Sequence, residues 1–115
     1  MTPFGLALTE LRQTRSLRQN QLADLLHIDP SYLCGLESGR KGPPSKDFVK
    51  RVQNALDLDD IETLKLEQEA RLSRRKYEIP LDAKPTEYKL VSMLINRVGQ
   101  LKQTQINAMI EILKF

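Results

Sequence analysis

The chain has 115 residues, of which 40% are hydrophobic and 29% are charged. This length and composition predict one compact domain, or one small domain with an appendage. No apolar run approaches the length of a membrane span, and no basic segment followed by an apolar one opens the sequence. We therefore expect neither a membrane anchor nor a signal peptide. The single cysteine, Cys34, excludes an internal disulfide and fits a reducing cytoplasm.

The net charge of +3 permits nucleic-acid binding without requiring it, but the charge is unevenly distributed. Residues 1–56 have eight Lys or Arg against five Asp or Glu, whereas residues 57–70 have six acidic residues and one lysine. Residues 71–76 then have four basic residues and no acidic one. This last segment either contacts phosphate or a partner's acidic groups, or it is a solvated helix end, where cations are favoured.

Apolar residues at helical spacing predict two helices near the start of the chain. The first follows Pro3 and has its apolar positions at Phe4, Leu8 and Leu11. The residues at 14–16 interrupt it, and a second helix is predicted over about 18–26, where leucines recur at the same spacing.

Turn and capping residues predict where the third and fourth helices begin and end. Asp29 is a good N-cap and Pro30 suits the first helical position, while Gly39 suits a left-handed residue after the last turn. The sequence Gly-Pro-Pro-Ser at 42–45 predicts a rigid connector, and Ser45 then caps a fourth helix that buries four apolar residues: Phe48, Val49, Val52 and Leu56.

The second half of the sequence also favours helices, and no convincing pair of strands appears. Asp59 or Asp60 caps a fifth helix, which we expect to continue through 76. Residues 77–85 contain two prolines and predict an extended linker. Two final helices are predicted over 86–98 and 104–114, so the expected fold class is all-α.

Residues 4–58 resemble the helix-turn-helix family of lambda repressor and Cro, also called the XRE family. The resemblance lies in Leu11-Arg12, in LRQNQLADLL at 17–26, in the turn into SYLCGLESGR at 31–40, and in the helix after PPS. It covers about half of the chain and implies five packed helices, of which the third reads DNA. The expected organisation is a DNA-binding domain over 1–76 (core 4–58, helix 5 extension 59–76), a linker over 77–85, and a helical hairpin over 86–115.

The third predicted helix has a face of small residues. Helical spacing directs Leu33 and Leu36 toward the core and places Ser31, Cys34, Gly35 and Ser38 on the opposite side. A helix with small outward side chains fits deep in the major groove of B-DNA, although a solvated surface helix is the alternative. No Arg, Asn or Gln lies on this face, so we expect DNA shape to contribute to specificity. The predicted base-reading residues are Pro30, Ser31, Tyr32, Cys34 and Gly35.

The resemblance also implies which residues contact the DNA backbone. A glutamine at the position of Gln19 contacts phosphate in the family and braces the reading helix. Arg18 lies beside it and either adds a phosphate contact or is an ordinary solvated arginine. Ser38, Arg40 and Lys41 follow the reading helix and are expected to face the backbone of the duplex, where contacts fix register without reading sequence.

Four further residues have predicted structural or chemical roles. Arg12 and Glu37 match a pair that forms a salt bridge in the family. His27 stands where relatives usually have glycine, which predicts a left-handed backbone that histidine tolerates. Cys34 is either a small side chain or a redox switch in the reading face. Cys34 and His27 alone cannot form a zinc site, so no metal or cofactor is expected.

The predicted C-terminal hairpin has a large apolar surface that must pack against something. Because family members bind two half-sites as dimers, about one DNA turn (roughly 34 Å) apart, we expect residues 86–115 to form a homodimer. Packing within the chain is the alternative. The predicted dimer interface consists of Leu90, Leu94, Val98, Leu101, Ile106, Met109, Ile110 and Leu113.

The sequence therefore predicts a cytoplasmic, nucleoid-associated regulator of bacterial or phage origin that binds double-stranded DNA. We expect a repressor that occupies a palindromic operator as a dimer. One alternative is the antitoxin of a toxin–antitoxin pair, which binds DNA and a toxin. Another is a protein-interaction adaptor on the same fold. An enzyme is not expected, since the sequence shows no nucleophile–base arrangement, phosphate loop or metal cluster.

Overall fold

A computed structural model of the chain describes residues 1–42 and 44–115, which form two compact units, Met1–Tyr77 and Glu78–Phe115. These residues form seven α-helices and no strand, which confirms the predicted all-α class. Pro43, one of the two prolines of the predicted rigid connector, lies outside the described residues. The helices are α1 (Pro3–Thr14), α2 (Gln19–Leu26), α3 (Pro30–Ser38), α4 (Lys46–Leu56), α5 (Asp60–Leu72), α6 (Pro85–Arg97) and α7 (Gln103–Leu113).

Short polar side chains begin four of the five helices of the first unit. In each, an oxygen of the N-cap residue accepts a hydrogen bond from a backbone N–H of the first turn that has no partner within the helix. Proline occupies the first helical position of α1 and α3, where its missing N–H costs nothing. The capping residues are Thr2, Asp29, Ser45 and Asp59.

Three helices of the first unit end at a residue with positive φ. Gly39 ends α3 with φ 85°, and Asp57 ends α4 with φ 52°. His27 ends α2 with φ 56° and ψ 44°, the left-handed conformation predicted for it. This reversal directs the chain from α2 into α3 within a three-residue turn, and it therefore sets the geometry of the helix pair.

All five helices from α1 through α5 contribute to one hydrophobic core. The aromatic rings of Phe4 and Phe48 meet edge to face at 6.4 Å between centroids. Full burial of each large apolar side chain contributes roughly 1.5–3 kcal/mol, so these residues fix the mutual positions of the helices. The largest fully buried side chains are Phe4, Leu8, Leu22, Leu26, Leu33, Leu36, Val52 and Leu66.

The fifth helix is shorter than predicted, because it ends at Leu72 and not near residue 76. The buried Ser73 hydroxyl accepts a hydrogen bond from the backbone N–H of Phe4 at 2.8 Å and donates to the carbonyl of Glu69 at 2.7 Å. The guanidinium of Arg75 donates to the carbonyl of Gly39. These contacts hold the basic segment after α5 against the ends of α1 and α3.

The second unit consists of α6 and α7 and lacks a buried core among the described residues. Neither helix has a buried residue. Leu101, Ile106 and Met109 are half-buried, while most other apolar side chains of the unit are exposed. Among the helices that the structure describes, none has the length and apolar character needed to cross a membrane.

Candidate nucleic-acid interface

The outward surface of α3 combines small polar side chains with an anchored inner side. Leu33 and Leu36 are fully buried and hold the helix in the core. Ser31 and Ser38 are exposed, and Cys34 is half-buried. The structure thus places three of the small side chains predicted for this face where a partner can reach them.

Gly35 requires a correction, because it is buried and does not lie on the open face. A Cβ atom at this position would stand 2.4 Å from Cγ of Lys41. The chain reverses at Gly39, and the backbone N–H of Lys41 then donates to the Gly35 carbonyl at 2.9 Å. The aliphatic part of Lys41 consequently covers Gly35, so this glycine positions Lys41 and does not itself face a partner.

At the start of α3, Ser31 and Asp29 form a small hydrogen-bonded group. The Ser31 hydroxyl donates to Oδ1 of Asp29 at 2.7 Å, and the Ser31 backbone N–H donates to the same oxygen at 2.8 Å. These hydrogen bonds, the side-chain one first, lower the pKa of Asp29. Because its proton is engaged, the Ser31 hydroxyl presents acceptor lone pairs to the outside.

Pro30 and Tyr32 flank this group, and both are exposed. The Tyr32 ring meets Phe48 of α4 edge to face, with 6.3 Å between centroids and an interplanar angle of 87°. An edge-to-face contact of this kind restricts the orientation of the ring. Tyr32 therefore lies between the outward face of α3 and the start of α4.

A largely buried polar network of Arg12, Gln19 and Glu37 joins α1, α2 and α3. Nε of Arg12 lies 2.8 Å from Oε2 of Glu37, and its Nη2 lies 3.0 Å from Oε1, which makes the pair bidentate. Nε2 of Gln19 donates to the same Oε1 at 3.0 Å. Gln19 thus makes the predicted bracing contact with α3. The backbone N–H groups of the first turn of α2 have no acceptor within the helix.

The predicted phosphate-contacting residues lie at the start of α2 and at the end of α3, and the cations among them are exposed. Arg18 precedes α2 as its N-cap residue. Arg40 and Lys41 follow α3 directly. The Ser38 hydroxyl donates to the Gly35 carbonyl at 3.2 Å and accepts from the Arg40 backbone N–H at 3.4 Å, so its hydrogen bonds stabilise the turn that presents both cations.

The sequence did not predict the structural roles of two residues, Arg51 and Gly5. Arg51 of α4 donates from its guanidinium to the carbonyl of Leu26, and it thereby stabilises the C-terminal end of α2. Gly5 lets α1 approach α3 closely, since a Cβ there would stand 2.5 Å from the Glu37 carbonyl oxygen. A glycine inside an apolar helical pattern was a usable signal for close packing. No sequence pattern indicated that Arg51 would bind the carbonyl of Leu26.

No group of three or more His, Cys, Asp or Glu residues within 1–42 and 44–115 is arranged to hold a metal ion. Cys34 is a free cysteine.

Comparison with known proteins identifies the family. A family model described as "Helix-turn-helix domain" matches residues 3–66, which is more than half of the chain. The "Uncharacterized HTH-type transcriptional regulator RghRB" of Bacillus subtilis (strain 168) is 38% identical over 58 residues. That match spans 50% of this chain and 42% of the relative's length. No solved structure matches the chain. The matches confirm the resemblance to the lambda-repressor and Cro type, and the chain belongs to the helix-turn-helix family.

Proposed function

We propose that this protein is a sequence-specific, double-stranded DNA-binding transcription regulator. The outward face of α3 is the observation that carries the proposal: Ser31, Cys34 and Ser38 lie there on a helix whose other side is fixed in the core. The Bacillus subtilis relative is named as a transcriptional regulator, which supports the same function.

Small side chains allow this helix to approach base pairs closely. The major groove of B-DNA is about 12 Å wide, and it admits one helix when the outward side chains are short. Ser31, whose hydroxyl proton is engaged by Asp29, presents acceptors suited to the amino groups of cytosine or adenine. Exposed cations on both sides of α3 contact phosphates and fix the register of the helix on the duplex.

Specificity comes from base contacts and from DNA shape together. The outward face has no Arg, Asn or Gln, which are the side chains that form bidentate contacts with guanine or adenine. A sequence-dependent groove width or bend therefore adds to the few direct contacts of Ser31 and Tyr32. We propose that occupancy of such a site represses transcription by excluding other proteins from the same DNA.

The apolar surfaces of α6 and α7 support a dimer that reads two half-sites of a palindrome. Leu90 is 60% exposed, Val98 60% and Leu113 78%, so the second unit leaves apolar area uncovered. A second copy of the unit would bury these side chains and pair two DNA-binding domains. Two-fold symmetry in the protein then requires a palindromic operator with half-sites about one helical turn apart, roughly 34 Å.

Selection of bound duplexes from random DNA by the full-length protein tests this function. We expect an enriched, two-fold symmetric site that footprinting protects on one face. A Ser31→Arg variant places a bulky cation in the base-reading face and should enrich a different sequence, whereas Lys65→Gln, on α5, should enrich the original one. Enrichment of no sequence, or of the same sequence by Ser31→Arg, would contradict the proposal.

A further inference from the structure

A basic groove lies between α4 and α5 and includes no residue of α3. Its volume is about 380 Å³. Val49, Ala70 and Pro44 form an apolar floor, and four cations line the groove with one carboxylate, that of Glu67. The cations of this basic groove are Lys46, Lys50, Arg71 and Arg74.

None of the four cations forms an ion pair within the part of the chain that the structure describes, and Glu67 is the one carboxylate that lines the groove beside them. The ion pairs there are Arg12 with Glu37, Arg15 with Glu62, and Lys114 with Glu111, none of which involves a cation of the basic groove. The guanidinium of Arg74 lies 4.1 Å from the centre of the Tyr77 ring, which orients it without neutralising its charge. Clustered cations repel one another, so an anionic ligand is the complement that this groove favours.

The basic groove adjoins residues that follow the reading helix. Pro44 lines the groove and also lines a smaller cleft that contains Lys41 and Arg75. Arg75 is bound to the carbonyl of Gly39, the residue that ends α3. The groove therefore adjoins, through Pro44, the cleft that contains Lys41, which is expected to contact phosphate at the end of α3.

We propose that the basic groove binds the phosphodiester backbone of duplex DNA beside the half-site that α3 reads. This inference rests on the proposed function and adds to it a second contact with DNA that does not depend on base sequence. Guanidinium groups bind phosphate oxygens in a bidentate manner, and Lys46 and Lys50, one helical turn apart on α4, add point charges. The adjoining cleft with Lys41, a predicted phosphate contact, favours DNA over an acidic protein as the ligand.

The salt dependence of DNA binding by the full-length protein tests the groove. The variant Arg71→Gln/Arg74→Gln removes two of its cations, and Lys46→Gln/Lys50→Gln removes the other two. The matched control, Lys65→Gln/Lys89→Gln, also removes two charges: Lys65 lies on α5 but lines the separate groove between α1 and α5, and Lys89 lies on α6. The probe is a random-sequence duplex of about 40 base pairs, long enough for two half-sites with flanks.

Each lost phosphate contact should reduce the slope of log K against log salt by about 0.9. Because the proposed dimer has two copies of the groove, each double variant should lower the slope by roughly 3.6, about 1.8 per protomer, and weaken binding about 100- to 1,000-fold near 0.15 M salt. The control should retain the slope of the unmodified protein. Thermal unfolding of each variant establishes that it is folded, and two independent pairs of substitutions keep the test valid if one pair unfolds the protein.

An unchanged slope in folded variants of both pairs would overturn the proposal. So would a result in which the groove variants keep the slope but lose binding to a polyglutamate peptide, because the groove would then be a protein-docking site. Failure of the proposed function has a different signature: equal affinity of the unmodified protein for selected and scrambled duplexes. Even then, the slopes measured on random DNA decide whether the groove binds phosphates.

Discussion

Glu37 has an unusual position for a carboxylate, since it lies on α3 and is only 4% exposed. It accepts hydrogen bonds from Arg12 of α1 and from Gln19 of α2. The third direction of the Arg12 guanidinium is used as well, because Nη1 donates to the Leu17 carbonyl at 2.8 Å. One side chain of α3 thus fixes that helix against both α1 and α2.

Replacing Glu37 should therefore be costly. In Glu37→Ala the Arg12 guanidinium loses its carboxylate partner at a nearly buried site, and we expect the free energy of unfolding to fall by roughly 3–5 kcal/mol. Urea unfolding followed by circular dichroism measures this change. The control is Arg15→Gln, which removes the half-exposed pair with Glu62 and should cost about 1 kcal/mol or less. Equal stabilities of the two variants would show that the buried network contributes nothing special.

Asp29 should make the start of α3 sensitive to acid. Hydrogen bonds from Ser31 lower its pKa below the ordinary value of 3.8, so the ionised form is the one that the fold stabilises. That contribution is complete above the ordinary value and disappears as the pH falls through the lower pKa of the folded state. Native protein should accordingly be more stable than Asp29→Asn at about pH 7, and this advantage should shrink at about pH 3.

Urea unfolding of both proteins at the two pH values measures that advantage. Asp24→Asn, which changes an exposed carboxylate within α2, serves as the control for the loss of one charge. An advantage of native protein over Asp29→Asn that stays constant or grows on acidification would exclude the carboxylate of Asp29 as a stabilising charge at the start of α3.

Single residues differed in how far the sequence could determine their positions. Asp29 as an N-cap follows from local chemistry, and left-handed His27 followed from its place in the family's turn. Arg12 and Glu37 were paired only through the resemblance, since 25 residues separate them. Gly35 was misplaced because helical spacing gives the direction of a side chain but not what the rest of the chain lays over it. Only the fold shows that the segment after Gly39 returns across α3.

At the scale of helices, the close approach of α1 to α3 depends on Gly5. A Cβ at this position would stand 2.5 Å from the backbone oxygen of Glu37 and 2.6 Å from that of Leu36. Such distances are shorter than atoms tolerate, and backbone oxygens inside a packed helix cannot move aside without displacing the helix. The absence of a side chain at Gly5 is therefore what lets α1 support the last turn of α3.

Gly5→Ala should separate these helices and destabilise the domain. Overpacking of this kind costs about 1–3 kcal/mol, although alanine gains up to about 1 kcal/mol in helix propensity. We expect a net loss in urea unfolding together with weaker DNA binding, since α3 shifts. Gly35→Ala is the comparison: its Cβ would meet Cγ of Lys41, a side-chain atom and not a backbone oxygen, so it should cost less stability than Gly5→Ala. The reverse order of the two variants would contradict this account.

Helix starts were easier to predict than one particular helix end. Capping residues are visible in the sequence, so α3 after Asp29 and α4 after Ser45 begin where expected. The end of α5 was misjudged because nothing local stops the helix at Leu72. The Ser73 hydroxyl is held by the backbone N–H of Phe4, 69 residues away. Helical periodicity cannot predict a contact between residues so far apart in sequence.

At the scale of the whole molecule, the two units differ in how their apolar residues are covered. The first unit buries its large apolar side chains in one core, whereas α6 and α7 leave most of theirs exposed. The sequence revealed the apolar load of residues 86–115 through its periodicity. Periodicity shows that a face is apolar but not which molecule covers it, so the choice of a second copy remains a proposal.

Charged substitutions on that apolar surface should convert the full-length protein from dimer to monomer. Leu90 and Ile110 are 60% and 48% exposed, so Leu90→Lys/Ile110→Lys removes little packing within the unit but places two cations where the second copy would dock. Sedimentation at micromolar concentration should show a dimer for the native protein and a monomer for this variant. Binding to a palindromic site should weaken roughly 100-fold or more, because two linked domains gain from effective concentration, while binding to a single half-site should not change. Lys89→Gln, next to Leu90, should remain dimeric.

A native protein that sediments as a monomer would refute the dimer. A native protein that binds a second, different polypeptide through this surface would favour the antitoxin alternative instead.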